Sequence, residues 1–373
     1  METLHDLLAG AGEVGVRELR DALGDLCSDA KTARITAQQK LRRPHIYRIE
    51  IEDDGVTRSV IVKRLSPEIA QRNERVVREW LPAVGLADAG PPLLGVAAER
   101  TGQCVWHIYR DLGDCSLAGA DPTDGVTELD VGFLSKPAFD SDPERLYDAV
   151  ATIARIHARF AEHPLLPECR LFGRDLGSHL FTTTLRDGLL GLRALDAMGI
   201  KIPYERRVLL VRLRQRLELL LQEQPHRMQL LADFGGPETL LHGDLSPKNT
   251  MVFREASGLH TRLIDWDYAG VGPISYDLSN FLAHFPRAER QWILDAYIRC
   301  LEELGWRFTP GADWNLLFDT AECARLANTV VWRVVALTKG QTDWPFDDLV
   351  LLDEWFDKLE PVLPPQTKEA VQR

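Results

Sequence analysis

Cysteine is sparse in this chain and never clustered. Cys27, Cys104, Cys115, Cys169, Cys300 and Cys323 are scattered, with no Cys-x-x-Cys pair. That spacing excludes the usual zinc-ribbon frameworks and suits reduced thiols in a cytosolic protein. No apolar run approaches the roughly eighteen residues that a membrane-crossing helix needs. The opening Met-Glu-Thr-Leu-His-Asp lacks the basic region and apolar core of a secretory signal, so a cytoplasmic location is expected. Repeats and low-complexity tracts are missing too. Positive charge is in short supply: 44 Lys and Arg face 56 Asp and Glu, for a net charge of −12. A chain of that sign is a poor partner for nucleic acid or an acidic membrane surface. What remains, 45% hydrophobic and 27% charged over 373 residues, is a globular chain of one or two domains.

The informative stretch runs from Leu240 to Asp277. It reads Leu-Leu-His242-Gly-Asp244-Leu-Ser-Pro-Lys-Asn249, then a short hairpin, then Leu-Ile-Asp265-Trp-Asp267-Tyr-Ala-Gly-Val-Gly. His-x-Asp-x-x-x-x-Asn is the spacing of a kinase catalytic loop, and an Asp after an apolar pair is where such enzymes bind metal. Phosphoryl transfer needs this set: one carboxylate to orient a hydroxyl and take its proton, and a carboxylate with an amide to hold magnesium on the phosphates. Magnesium is a hard ion, so oxygen ligands suit it. Asp, Asn, Gly and Pro also build ordinary turns. The flanking strand patterns at Thr250–Phe253 and Arg262–Ile264 favour the kinase reading.

Protein kinases carry Arg where this loop has Gly243, and Phe-Gly where Trp-Asp follows Asp265; an Ala-Pro-Glu segment is missing as well. The sequences His-Gly-Asp-Leu-Ser-Pro-Lys-Asn and Ile-Asp-Trp-Asp-Tyr-Ala-Gly-Val-Gly-Pro-Ile-Ser-Tyr-Asp-Leu-Ser instead resemble the aminoglycoside phosphotransferase and choline kinase superfamily. The match is closest over residues 238–283 and weaker back to residue 34. The resemblance implies an α+β, two-lobed protein-kinase-like fold with a small antiparallel-sheet N-lobe and a mainly helical C-lobe. Residues 1–112 would form the nucleotide-binding lobe, with 1–33 as an extension, and residues 113–373 the helical catalytic and substrate-binding lobe. It also implies ATP and Mg2+ as cofactors and a small-molecule hydroxyl acceptor. Asp244 becomes the base, Asn249 and Asp265 the metal ligands, and His242 and Asp277 supports of the loop. For Asp267, a role at a second metal or at the acceptor is open.

Upstream, three strands are expected: Arg34–Gln38, with a weak signal, His45–Glu50, where Tyr47, Ile49 and Ile51 alternate in period two, and the apolar run Ser59–Arg64. Lys63 ends the third. A terminal lysine can simply snorkel to water, but the resemblance makes it the cation on the α- and β-phosphates. Its expected partner is Glu74 on the helix over 67–82, with Glu79 the competitor. Between the first two strands Gln-Gln-Lys-Leu-Arg-Arg-Pro has no glycine, where glycine would let backbone amides approach phosphate. Lys40, Arg42 and Arg43 either supply charge there or are plain exposed residues. Strands at Leu93–Glu99 and Gln103–Tyr109 lead to Asp-Leu-Gly-x-x-Ser-Leu, similar to the family's interlobe linker. Ile108, Arg110 and Leu112 are the residues expected at adenine.

Residues 118–140 read as a loop, and helices are expected at Pro143–His163, 175–195, 203–232, Arg287–Leu304, Trp314–Ala336 and Asp347–Leu359. His157 reads as a packed core residue. Asp319, Glu322, Asp343, Asp347 and Asp348 are candidates to meet an amine on the acceptor, or else belong to solvated helix faces. The function expected is transfer of the γ-phosphoryl of ATP to a hydroxyl of a small amino-bearing acceptor such as an aminoglycoside, amino sugar or amino alcohol. The alternative is a catalytically weak nucleotide-binding regulatory module of the same fold.

Overall fold

The structure, a computed structural model of the chain, describes residues 2–8, 11–41, 43–118, 142–198, 202, 204–340 and 344–364. Arg42, Asp343 and nearly all of the loop expected at 118–140 lie outside the described residues. Contacts divide the chain into two units: Met1–Ala120 with Lys248–Ala269, and Asp121–Pro247 with Gly270–Arg373.

The first unit is built on a six-stranded antiparallel sheet of β1 (Glu2–Thr3), β2 (Arg34–Lys40), β3 (Ile46–Asp53), β4 (Val56–Leu65), β5 (Leu93–Ala98) and β6 (Val105–Arg110), in the order β1-β2-β3-β4-β6-β5. Alternation makes β3 two-faced: Tyr47, Ile49 and Ile51 are buried and the residues between them are not. The N-terminal extension is part of this unit. Leu19 and Leu23, one helical turn apart on Val16–Asp25, pack with Ile49, Val62 and Trp106 in one apolar cluster. Ser28 N–H adds a 2.8 Å hydrogen bond to the buried Asp53. The helix after β4 starts with Pro67 in its first turn, where the ring costs no hydrogen bond. Ser66 precedes it in extended conformation without a side-chain cap. The helix Pro67–Arg75 then widens into a π-turn over Val76–Trp80. A hairpin of Thr250–Glu255 and Gly258–Leu263 completes the unit, with Thr250 opposite Leu263.

The second unit is mostly helical. Its helices are Pro143–Phe160, Leu166–Phe172, Ser178–Ala197, Tyr204–Phe234, Ser275–Ala283, Arg287–Glu303, Trp314–Thr338 and Trp344–Asp357. Leu166–Phe172 was not expected from the sequence. Leu209, Leu213, Leu217 and Leu220 form the buried stripe of Tyr204–Phe234; of its arginines, Arg207 and Arg212 are exposed, whereas Arg227 is buried and paired with Asp319. That stripe meets Leu185, Leu189, Val330 and Leu349 in one apolar cluster. Two short strands, Thr239–Leu241 and Gly270–Gly272, pair antiparallel and bracket the loop of interest. Among the described residues, no helix is long and apolar enough to cross a membrane.

Helices Ser178–Ala197 and Trp314–Thr338 approach closely where Gly191 faces Val334. A Cβ on Gly191 would lie 2.8 Å from the valine Cγ1. Gly191→Val should therefore lower stability by about 1–3 kcal/mol through overpacking, a loss that better helix propensity only partly offsets. Thermal unfolding of the two proteins checks this; an unchanged or raised Tm would show that the helices separate freely.

Candidate functional site

In the first unit the focal group is Lys63. It lies on β4, with neighbours on β3 and β6. Its side chain is largely buried, and a buried ammonium needs partners. It has two. Lys63 Nζ bonds Asp265 Oδ1 and also both oxygens of Asp267, at 2.8 and 2.9 Å. Burial alone would favour the neutral amine, but the two carboxylates reverse this and raise the Lys63 pKa.

Asp265 stands just past the strand Gly258–Leu263 in left-handed conformation, φ 67°, a region that Asp tolerates better than most residues. The next residue, Trp266, is fully buried and donates from Nε1 to Leu263 O at 2.8 Å, which locks the turn. Asp265 Oδ2 takes a 2.8 Å bond from Arg43 Nη1. Burial pushes its carboxyl up, yet the charges of Lys63 and Arg43 outweigh that and hold it well below the usual carboxylate range. Asp267 goes the other way: burial and the neighbouring Asp265 charge raise it. Asn73 Nδ2 donates to Asp267 Oδ1 at 2.9 Å, and Arg72 donates to the Asp267 carbonyl.

The expected Lys63–Glu74 pair is not what forms. Glu74 pairs with Arg78 one helical turn on, and Glu79 pairs with Arg75. The helix instead reaches this cluster through Asn73, which donates to the Asp267 carboxylate, and Arg72, which donates to the Asp267 backbone carbonyl. A search for an acid on the helix passes over both.

Asn249 is buried and precedes the first residue of the hairpin. Its carbonyl accepts from Ile264 N–H at 2.9 Å, which ties it to the segment bearing Asp265. The two offer only oxygen donors, which fits magnesium, an ion that needs one or two protein ligands when phosphates and water supply the rest. Among the described residues, no group of three or more His, Cys, Asp or Glu is arranged to hold a metal alone.

The residues expected at adenine fall in different settings. Ile108 is fully buried in the middle of β6, between Val62 and Gly95. The Arg110 N–H already donates to Pro92 O at 2.9 Å, and the Asp111 N–H to Ser59 O. Leu112 lies beyond the end of the strand.

In the second unit, Asp277 holds the loop that carries Asp244. It is completely buried, and its Oδ2 accepts from His242 N–H at 2.7 Å and its Oδ1 from Gly243 N–H at 2.9 Å. Gly243 takes φ 81°, a conformation that a side chain there would strain. Asp244 N–H donates to His242 Nδ1 at 3.3 Å, and Asn280 Nδ2 donates to Leu245 O at 2.8 Å. Asp244 itself is part-exposed. His157, a core residue as expected, also contacts Asp277, with Nε2 3.4 Å from Oδ2, and bonds Tyr297 OH at 2.6 Å. Burial would raise the Asp277 carboxyl, but His157, His242 and the Gly243 amide bring it below its ordinary value. A histidine 120 residues away leaves no local signal of this role.

The acidic residues considered for the acceptor are mostly spent on arginines. Asp319 meets Arg227 at 2.6 Å, Glu322 meets Arg325, and Asp348 meets Arg333 at 2.7 Å. Asp347 is exposed.

Comparison with known proteins agrees with these features. The profile of the phosphotransferase enzyme family matches residues 47–311. Human ethanolamine kinase 1 is 26% identical over 140 residues, which span 33% of this chain and 30% of that protein. The structure of ethanolamine kinase from Plasmodium vivax superposes with a TM-score of 0.54 at 13% identity, covering 90% of this chain and 84% of that one. A spectinomycin phosphotransferase in complex with ADP and spectinomycin gives 0.50 at 12% identity, covering 89% and 90%. These likenesses show the kinase-like fold, an antiparallel-sheet N-terminal region followed by a mostly helical remainder.

The Asp277 brace has a pH signature. Because its folded pKa lies below the unfolded value near ~3.9, it stabilises the fold above about pH 4, and that contribution is lost as pH falls through the lowered value. Asp277→Asn should cost about 1–3 kcal/mol at neutral pH. Its deficit against the parent should shrink in acid. Urea unfolding across a pH series measures this; a deficit that is constant with pH would mean that the carboxylate charge plays no part.

Proposed function

This chain belongs to the phosphotransferase enzyme family and is an enzyme acting on hydroxyl groups, and from that premise we propose that it moves the γ-phosphoryl of ATP to a hydroxyl of a small amino-bearing molecule, an amino alcohol or amino sugar. The observation that carries the reading is the braced loop: Asp277 fixes the backbone of His242 and Gly243, so that Asp244 projects from a loop with little freedom. The amino-bearing class is supported by the ethanolamine kinase relative over the stretch it shares with this chain. The acidic net charge does not support it further, since Asp319, Glu322 and Asp348 are neutralised by arginines.

In this reading Asp244 orients the acceptor hydroxyl and takes its proton on a carboxylate oxygen. An alcohol proton leaves late in a loose phosphoryl-transfer transition state, so a positioned carboxylate is a sufficient acceptor. Asn249 and Asp265 would hold magnesium, which would supply positive charge to the phosphate oxygens. Lys63 steadies the α- and β-phosphates, and Asp267 keeps the lysine oriented. Leu112, past the end of β6, is the favoured backbone contact for adenine, with Ile108 and Arg110 shaping the strand before it.

Asp244→Asn should abolish transfer and leave nucleotide binding nearly intact. Removing a general base typically costs about a hundred- to ten-thousand-fold. A steady-state assay with ATP and a panel of amino alcohols and amino sugars checks this, and more than a tenth of the parent rate at saturation would remove Asp244 from the role. Asp265→Ala should lose the magnesium dependence of nucleotide binding in calorimetry. If that dependence persists unchanged, the metal is held elsewhere.

A further inference from the structure

The turn between β2 and β3 lacks the glycines that would bring backbone amides onto phosphate, and Arg43 and His45 stand in it instead. It is pinned from the N-terminal extension. Glu13, with only 4% of its side chain exposed, accepts from Tyr47 OH at 2.6 Å and lies 2.9 Å from both His45 Nδ1 and Arg64 Nη1. Burial pushes the Glu13 carboxyl up, but these three partners bring it below its ordinary value and keep it ionised. The backbone is pinned as well: Leu41 N–H donates to Ile46 O at 2.9 Å and Arg64 N–H to His45 O at 3.0 Å. His45 takes φ 67°, an uncommon conformation for a residue with a side chain, which surrounding contacts must maintain.

This anchored turn delivers Arg43 to Asp265, the carboxylate that the preceding reading gives to the metal, at 2.8 Å with 44% of the arginine side chain exposed. A guanidinium fork matches carboxylate and phosphate oxygens alike. Were Asp265 to hold a divalent cation, the Arg43 fork would be left to grip the phosphates that the cation accompanies. We propose that Arg43 is a second phosphate-binding residue of this chain beside Lys63, doing with a side chain what glycine amides do in a glycine-rich loop, and that Glu13 is its positioning residue. This rests on the nucleotide site proposed above. It gives residues 1–33 a part in substrate binding that their apolar packing alone does not.

The test is calorimetric binding of Mg·ADP and of adenosine to the full chain and to Arg43→Ala, Arg43→Lys and Glu13→Gln, each checked for folding by circular dichroism. Arg43→Ala should weaken Mg·ADP roughly ten- to hundredfold, the range of a lost charge-assisted contact, and leave adenosine unchanged. Arg43→Lys should fall between, because it keeps the charge and loses the fork. Glu13→Gln should weaken Mg·ADP and spare adenosine. Unchanged Mg·ADP binding by Arg43→Ala overturns the proposal, and so does an equal loss for both ligands. Tighter binding also overturns it, since Arg43 would then be only a competitor for Asp265. If the parent protein binds neither Mg·ADP nor adenosine, the nucleotide site itself is refuted, a result distinct from failure of Arg43.

Discussion

Placing the Lys63 ammonium inside the first unit is an expensive step, because an ammonium out of water loses several kcal/mol of hydration unless charge and hydrogen bonds replace it. Asp265 and Asp267 provide the replacement, and the need for them organises what lies around. The strand Gly258–Leu263 must end in a turn that aims two acids separated by one residue at the same nitrogen, which the αL conformation of Asp265 and the buried Trp266 achieve. The helix after β4 must bring donors, not acids, and it brings Asn73 and Arg72. An acid in place of Asn73 would add a third negative charge to a cluster already holding two, and would raise Asp267 further. Glu74, the next residue along, faces Arg78 instead.

The second unit uses the same physics with one carboxylate. Asp277 is stable without water because two backbone amides and an imidazole surround it. Bonds from consecutive amides leave the loop few alternative conformations. Its position two residues into the helix Ser275–Ala283 also faces the carboxylate to the positive end of the helix. Support and electrostatics thus come from a single residue, and His157 with Tyr297 forms an outer layer that orients it.

Net charge is a poorer guide to ligand chemistry than its size suggests. The chain carries −12, yet Asp319, Glu322 and Asp348 on the late helices are closed off by Arg227, Arg325 and Arg333 within their own unit. Arg325 shows how local this is: it is half-buried, covers the Tyr276 ring at 4.2 Å and donates to the Tyr276 carbonyl, so it acts as packing as much as charge.

Much of the chain was legible from residues alone. Period-two alternation marks β3, an apolar run marks β4, a leucine stripe marks Tyr204–Phe234, and the spacing of His242, Asp244, Asn249 and Asp265 marks the family, because each is a local pattern with a local physical cause. The short helix Leu166–Phe172 escaped because seven residues carry too little periodicity to read. What tertiary structure alone decided are the long-range partners. Glu13 with His45 and Arg64, Arg43 with Asp265, Asn73 with Asp267 and His157 with Asp277 join residues far apart in sequence. A charged side chain on a helix or turn looks the same in sequence whether water or a buried partner satisfies it. Only the packed fold removes the water, and only then does the choice of partner acquire an energy large enough to be selected.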